Sequence, residues 1–169
     1  MNPCLAAVNE KLLFARLLAA QLLKSGTDHL AKALCQSVLI QLEMAYRLHL
    51  KEIGLNYQLR NAAEVKTVGD LISAMESVQK HPAEAYEMQD LESRTAGWLA
   101  SMLAARERLD GCPKIGESTE KSAVNDGLIS TRQYDPRTEP TEPTVQNVQD
   151  WLVRLDELIE RHRQTMFEC

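Results

Sequence analysis

Two histidines are the side chains best placed for chemistry in this chain. His49 and His162 each fall on the apolar stripe of a helix, where His162 continues the series Leu155, Leu158, Ile159 and Met166. Imidazole titrates near neutral pH and is a common metal ligand, so two such rings facing one core could bind a metal or share a proton. Carboxylate-bridged metal bundles place a Glu one turn before each His, as Glu-x-x-His. Here Tyr46 stands three before His49 and Ile159 three before His162, which counts against that site. No metal and no cofactor is expected.

Two charged groups complete the candidate ligand-binding set. Glu43 and Arg47 lie four apart, in the orientation that supports a helix by about 0.2–0.5 kcal/mol. If their face is exposed they form a solvated salt bridge; if it is buried they form a polar site. Arg161-His162-Arg163 is a small basic cluster near the C-terminus. Positive charge is favourable at a helix end where carbonyls lack partners, and contact with phosphate or RNA is the alternative use. The candidates are therefore Glu43, Arg47, His49, Arg161, His162 and Arg163, with no catalytic residue singled out.

Other templates fail. Gly69, Gly97, Gly111 and Gly116 do not assemble a phosphate-cradling loop, and no Gly-x-Ser-x-Gly elbow occurs. Trp98 and Trp151 lack the basic surround of a base-stacking platform and are expected to anchor the core. Cys4, Cys35, Cys112 and Cys169 are too far apart for zinc-ribbon or thioredoxin spacing, so reduced thiols are expected. The net charge is −5, and of the segments 1–24, 25–81, 82–110, 111–143 and 144–169 the most basic, 1–24, carries only +2. That lowers the nucleic-acid reading, because phosphate neutralisation supplies most of such affinity. No apolar run approaches the roughly 18 residues that span a bilayer. Glu10, Lys11 and Arg16 interrupt the N-terminal apolar stretch, unlike a signal peptide. A cytoplasmic location is expected.

The elements that must position these groups are helices. Apolar residues recur every three or four positions, and only a helix turns such residues onto one face. The pattern predicts helices over about Pro3–Lys24, Asp28–Ile53, Val68–Gln79, Ala83–Asp110 and from Thr144 or Val145 to Met166. Asn2 and Thr27 are caps, and Thr67 with Asp70 resembles a capping box. Gly26 and Gly54 are expected stops. Residues 55–66 form either an irregular link or a short helical turn. Gly97 falls inside the fourth helix, where a close helix crossing beside Trp98 would explain it. Residues 111–143, with Pro136, Pro140 and Pro143, are expected as one long irregular loop. The expectation is a single all-α domain over residues 1–169, an up-and-down bundle of about five helices.

The segment Ala33–Arg47, with Glu43 followed by Arg47, and the later Thr67-Val68-Gly69-Asp70-Leu71 resemble the HEPN helical bundles of prokaryotes over about 50 residues. The whole chain also looks like a bacterial family of unknown function. Ribonucleases of the HEPN group use an Arg and a His at a set spacing. No His here reproduces it: Arg47 is two before His49, and Arg154 is eight before His162. The resemblance therefore implies a non-catalytic binding or pairing module. The chain is expected to self-associate, because long apolar helix faces left unfilled in one copy are covered by a second. RNA or nucleotide binding by a HEPN-like protein is the alternative.

Overall fold

A computed structural model describes residues 2–111 and 143–167. Among them are six α-helices and one 3-10 turn, with no strand. The helices are α1 (Pro3–Leu22), α2 (Asp28–Asn56), α3 (Val68–Ser77), α4 (Ala83–Ser93), α5 (Trp98–Asp110) and α6 (Val145–Phe167); the turn covers Ala62–Glu64. The all-α class is that expected from the periodicity. The loop expected over 111–143 lies outside the described residues, apart from its two ends.

Helix starts follow the capping chemistry. The Asn2 side chain accepts the Cys4 N–H at 3.0 Å, and Pro3 occupies the first turn, where its missing donor costs nothing. Thr67 and Asp70 form a reciprocal capping box, with bonds of 3.1 and 2.9 Å. Thr144 and Asn147 exchange the same pair of bonds ahead of α6.

Helices α1 and α3 end two residues early, at Leu22, ahead of Gly26, and at Ser77, and two larger departures occur at Gly54 and Gly97. Gly54 does not end α2, which runs on to Asn56. A Cβ on Gly54 would stand 3.1 Å from that of Ala62, so this glycine lets the 3-10 turn pack against the helix. The stop comes later. Leu59 N–H donates to Gly54 O at 2.8 Å and Gln58 N–H to Leu55 O at 3.0 Å, around a left-handed Gln58 at φ 60°. Those are the two bonds of a Schellman closure, and α3 ends the same way at Gln79, φ 57°.

The second departure is at Gly97. The fourth helix expected over Ala83–Asp110 is two helices, α4 and α5, so the described residues form six helices where about five are expected. Gly97 caps α5, and its N–H donates to Arg94 O at 2.6 Å. A Cβ there would meet Arg94 O at 2.8 Å and Leu91 O at 3.3 Å, so the corner admits only glycine. The reason is this local crowding, not a helix crossing beside Trp98.

The long α2 is the hub. It packs against α1, α3, α4, α5, α6 and the 3-10 turn. Leu39, Leu42, Leu50 and Ile53 of α2 are fully buried with Val8 of α1, Leu99 and Met102 of α5, and Leu155 of α6. Each such side chain contributes about 1.5–3 kcal/mol when removed from water. Trp151 is buried and Trp98 packs half-buried against the core, while Cys35 behaves as a small buried hydrophobe. The Asn2 amide donates to Glu52 O at 3.1 Å and Asn56 Oδ1 at 2.9 Å, tying the start of α1 to the end of α2. No described helix is long and apolar enough to cross a membrane.

Candidate functional site

The core stripe of α2 places His49 one turn before Glu52, and the stripe of α6 brings His162 against them. Both rings are closed off from solvent, His49 at 0% exposure and His162 at 1%. Four groups form one row. His49 Nδ1 stands 2.9 Å from Glu52 Oε2, His49 Nε2 is 3.0 Å from His162 Nδ1, and His162 Nε2 is 3.0 Å from Glu87 Oε2 on α4. The rings lie 5.3 Å apart between centroids with planes inclined by 21°.

The row ends on carboxylates that are held in turn by arginines. Arg163 donates to both oxygens of Glu52, from Nε at 2.8 Å and Nη2 at 3.1 Å. Its Nη1 reaches Asn9 Oδ1 at 2.8 Å. This is the planar two-point contact that a guanidinium makes best. Arg161 pairs with Glu87. Beside the row, buried Glu84 accepts from the Tyr57 hydroxyl at 3.0 Å and the Thr165 hydroxyl at 2.9 Å. Every charged group here has a partner, as burial demands.

Burial and hydrogen bonds pull the acidities apart. For Glu52, burial favours the neutral acid. The hydrogen bonds from His49 and Arg163, with their charges, outweigh it and hold the carboxyl below its ordinary range. His162 is held below the ordinary imidazole range by burial and then by the His49 charge, against a smaller opposite pull from Glu87 and Glu84. The two rings thus stand within hydrogen-bonding distance of each other and are sealed from solvent. Among the described residues, no three His, Cys, Asp or Glu side chains are arranged to hold a metal ion.

His49, Arg161, His162 and Arg163 therefore meet, but the six candidates do not converge in one pocket, as the alternative of nucleotide or RNA binding requires. Six residues along a helix turn the direction by about 120°, which carries Glu43 and Arg47 to another side of α2. There Glu43 is buried and pairs with Arg47, which stays 59% exposed, and stands 3.8 Å from Arg106 Nε of α5. The Tyr46 hydroxyl donates to Glu92. Burial raises the Glu92 carboxyl above its ordinary range. These groups line a cavity of about 320 Å³ with Lys66 and Asp110. A larger cavity, about 460 Å³, lies between α2, α5 and the start of α6; Ala31, Cys35, Ala105, Leu109 and Val145 line much of it.

Glu52, Glu87, Glu84 and Arg106 were not among the candidates. Glu52 had a readable signal, since His49-x-x-Glu52 is a one-turn pair; the Glu was sought before the His and stands after it. Glu87 and Arg106 reach their partners only through tertiary packing, and no local spacing announces them.

Comparison with known proteins adds little chemistry. No curated protein matches the chain, and no solved structure does. The model of a protein family matches residues 1–169; its description reads "Family of unknown function (DUF6586)".

Proposed function

The chain belongs to that family of unknown function, and we propose that it is a non-catalytic, cytoplasmic interaction module of HEPN-like, bacterial type that pairs with a second copy of itself. One observation carries the reading. The outer side of α1 presents Leu13 at 49% exposure and Leu17 at 61%, one turn apart, with exposed Ala6 and Ala20 on the same side. Leu23, just past α1, and Leu30, on α2, extend the apolar character, and Ile40 and Met44 lie exposed further along α2. Scattered exposed leucines are ordinary; two of them one turn apart, flanked by exposed alanines, are the kind of surface that a twofold copy covers.

The state of the arginines supports pairing over ligand capture. Nucleotide or RNA binding would need Arg161 and Arg163 turned toward phosphate. Arg163 instead faces Glu52 and Asn9, and Arg161 faces Glu87. Sealing of both imidazoles likewise supports a role without catalysis.

Sedimentation of the purified chain at micromolar concentration tests the proposal. The expected mass is twice the 19.0 kDa of one chain. The double variant Leu13→Glu, Leu17→Glu is expected to sediment as one chain with unchanged helix content, since both positions face solvent. A wild-type mass of one chain refutes the self-association.

A further inference from the structure

Three hydrogen bonds in a row require three protons. The Glu52 end needs an N–H on His49 Nδ1, the Glu87 end needs one on His162 Nε2, and the contact between the rings needs one more. Two neutral imidazoles bring only two. The row is complete when the pair holds a single additional proton, and that proton belongs to the pair, not to either ring. A further proton would set N–H against N–H across 3.0 Å, with no acceptor between them.

The surrounding charges agree. Glu52 faces the rings from α2, Glu84 and Glu87 from α4, and Arg161 and Arg163 from α6. From α1 the neutral Asn9 amide meets Arg163, and the Cys4 thiol lies within electrostatic reach of Glu52. The Tyr57 hydroxyl is neutral on Glu84. Three carboxylates then face two guanidinium groups and one shared imidazolium proton, a balanced set. One more proton leaves a buried positive charge without a counterpart, which a protein interior resists strongly.

We infer that this end of the bundle is an acid-released latch: the two imidazoles hold one extra proton in common, and uptake of a second parts α6 from α2 and α4. The sign follows from His162. Its native acidity is shifted downward from 6.5, first by burial and then by the His49 charge. The unfolded or opened chain therefore takes up the proton first. For this second proton the latch contributes most near about pH 6.5 and is lost as the pH falls through the native value; well above that range the shared first proton is given up in turn. The part released is the last two turns of α6, which carry Arg161, His162, Arg163 and Thr165 and hold the polar contacts to Glu52, Glu84 and Glu87.

Amide hydrogen exchange of the full chain, corrected for the intrinsic pH effect, tests this. Between about pH 7 and pH 5, opening of residues 159–167 is expected to rise by up to about tenfold per pH unit, the limit for one linked proton. Opening of α3 is expected to stay level. Glu87→Gln removes the carboxylate that holds His162 and Arg161 in the closed state, so release is expected at higher pH than in the wild type. His162→Gln abolishes the pH dependence. Nitrogen-15 spectra of the wild-type imidazoles at neutral pH are an independent readout that needs no variant, and they are expected to count three ring protons over the pair. A count of two or four, a flat wild-type profile, or an unchanged midpoint in Glu87→Gln overturns the inference.

Discussion

The two charged clusters on α2 differ in a way that separates structure from surface. At the His49 cluster each charged group is hydrogen-bonded, and the rings and Glu52 are excluded from water. At the Glu43 cluster, Arg47 is mostly exposed, and Arg106 Nε is buried without a hydrogen-bond partner. The same helix holds both, and both pair glutamates with arginines. What differs is packing: α6 and α4 close over one side, while the other opens into a cavity between α2 and α5. Solvent access therefore sets what each charge contributes.

The largest effect should come from breaking the sealed cluster. Glu52→Ala leaves the Arg163 guanidinium and the imidazole pair without their anion, and chemical denaturation is expected to show a loss of about 3–5 kcal/mol. The matching change at the open cluster, Glu43→Ala, is expected to cost about 1 kcal/mol, because its main partner is solvated. Equal losses would remove the distinction between the two sites. Arg47→Ala should change stability by less than about 0.5 kcal/mol in the same measurement.

Acid sharpens the contrast because the two sites respond with opposite sign. Glu52 is held below its ordinary 4.5, so its contribution is complete above that pH and is lost on acidification through the native value. Glu92 is raised by burial, so its contribution is complete below 4.5 and is lost as pH rises through its native value. Glu92→Gln, which can still accept from Tyr46, is accordingly expected to raise the neutral-pH melting temperature slightly. The gain should be under about 1 kcal/mol, since this carboxyl is only half-buried. A fall in melting temperature would contradict the assigned sign. A further small effect lies beyond both clusters. Gln58→Gly relieves a left-handed side chain at the end of α2, for a gain of up to about 1 kcal/mol in the same melt.

The sequence carried the helices well, because burial of a stripe once per turn is a local pattern. Val38, Leu42, Ala45 and Ile53 are readable by counting, and so is the inward direction of His49 and His162. What escaped was set by neighbours distant in the chain. Gly54 read as a stop because glycine commonly is one, yet Ala62 needed its empty side. Gln58 and Gln79 gave no warning of a left-handed turn, since glutamine has no preference for it. The corner at Gly97 was hidden because the apolar period runs straight through it: Leu91 and Trp98 keep step although the axis changes direction. At the site, helix geometry was enough to foresee that two imidazoles face one core. Their carboxylate ends were not foreseeable together, for Glu87 arrives on α4 only after that corner has formed.

The Gly97 corner has a consequence for how the two clusters communicate. By freeing α4 from α5, it makes α4 a short rigid lever of 11 residues. Glu87 on this lever grips His162, and Glu92, little more than a turn away, grips Tyr46. A rod that short cannot tilt at one grip without displacing the other. Disturbances at the imidazole pair should therefore be felt at the tyrosine, and paired substitutions at Glu87 and Glu92 should fail to add.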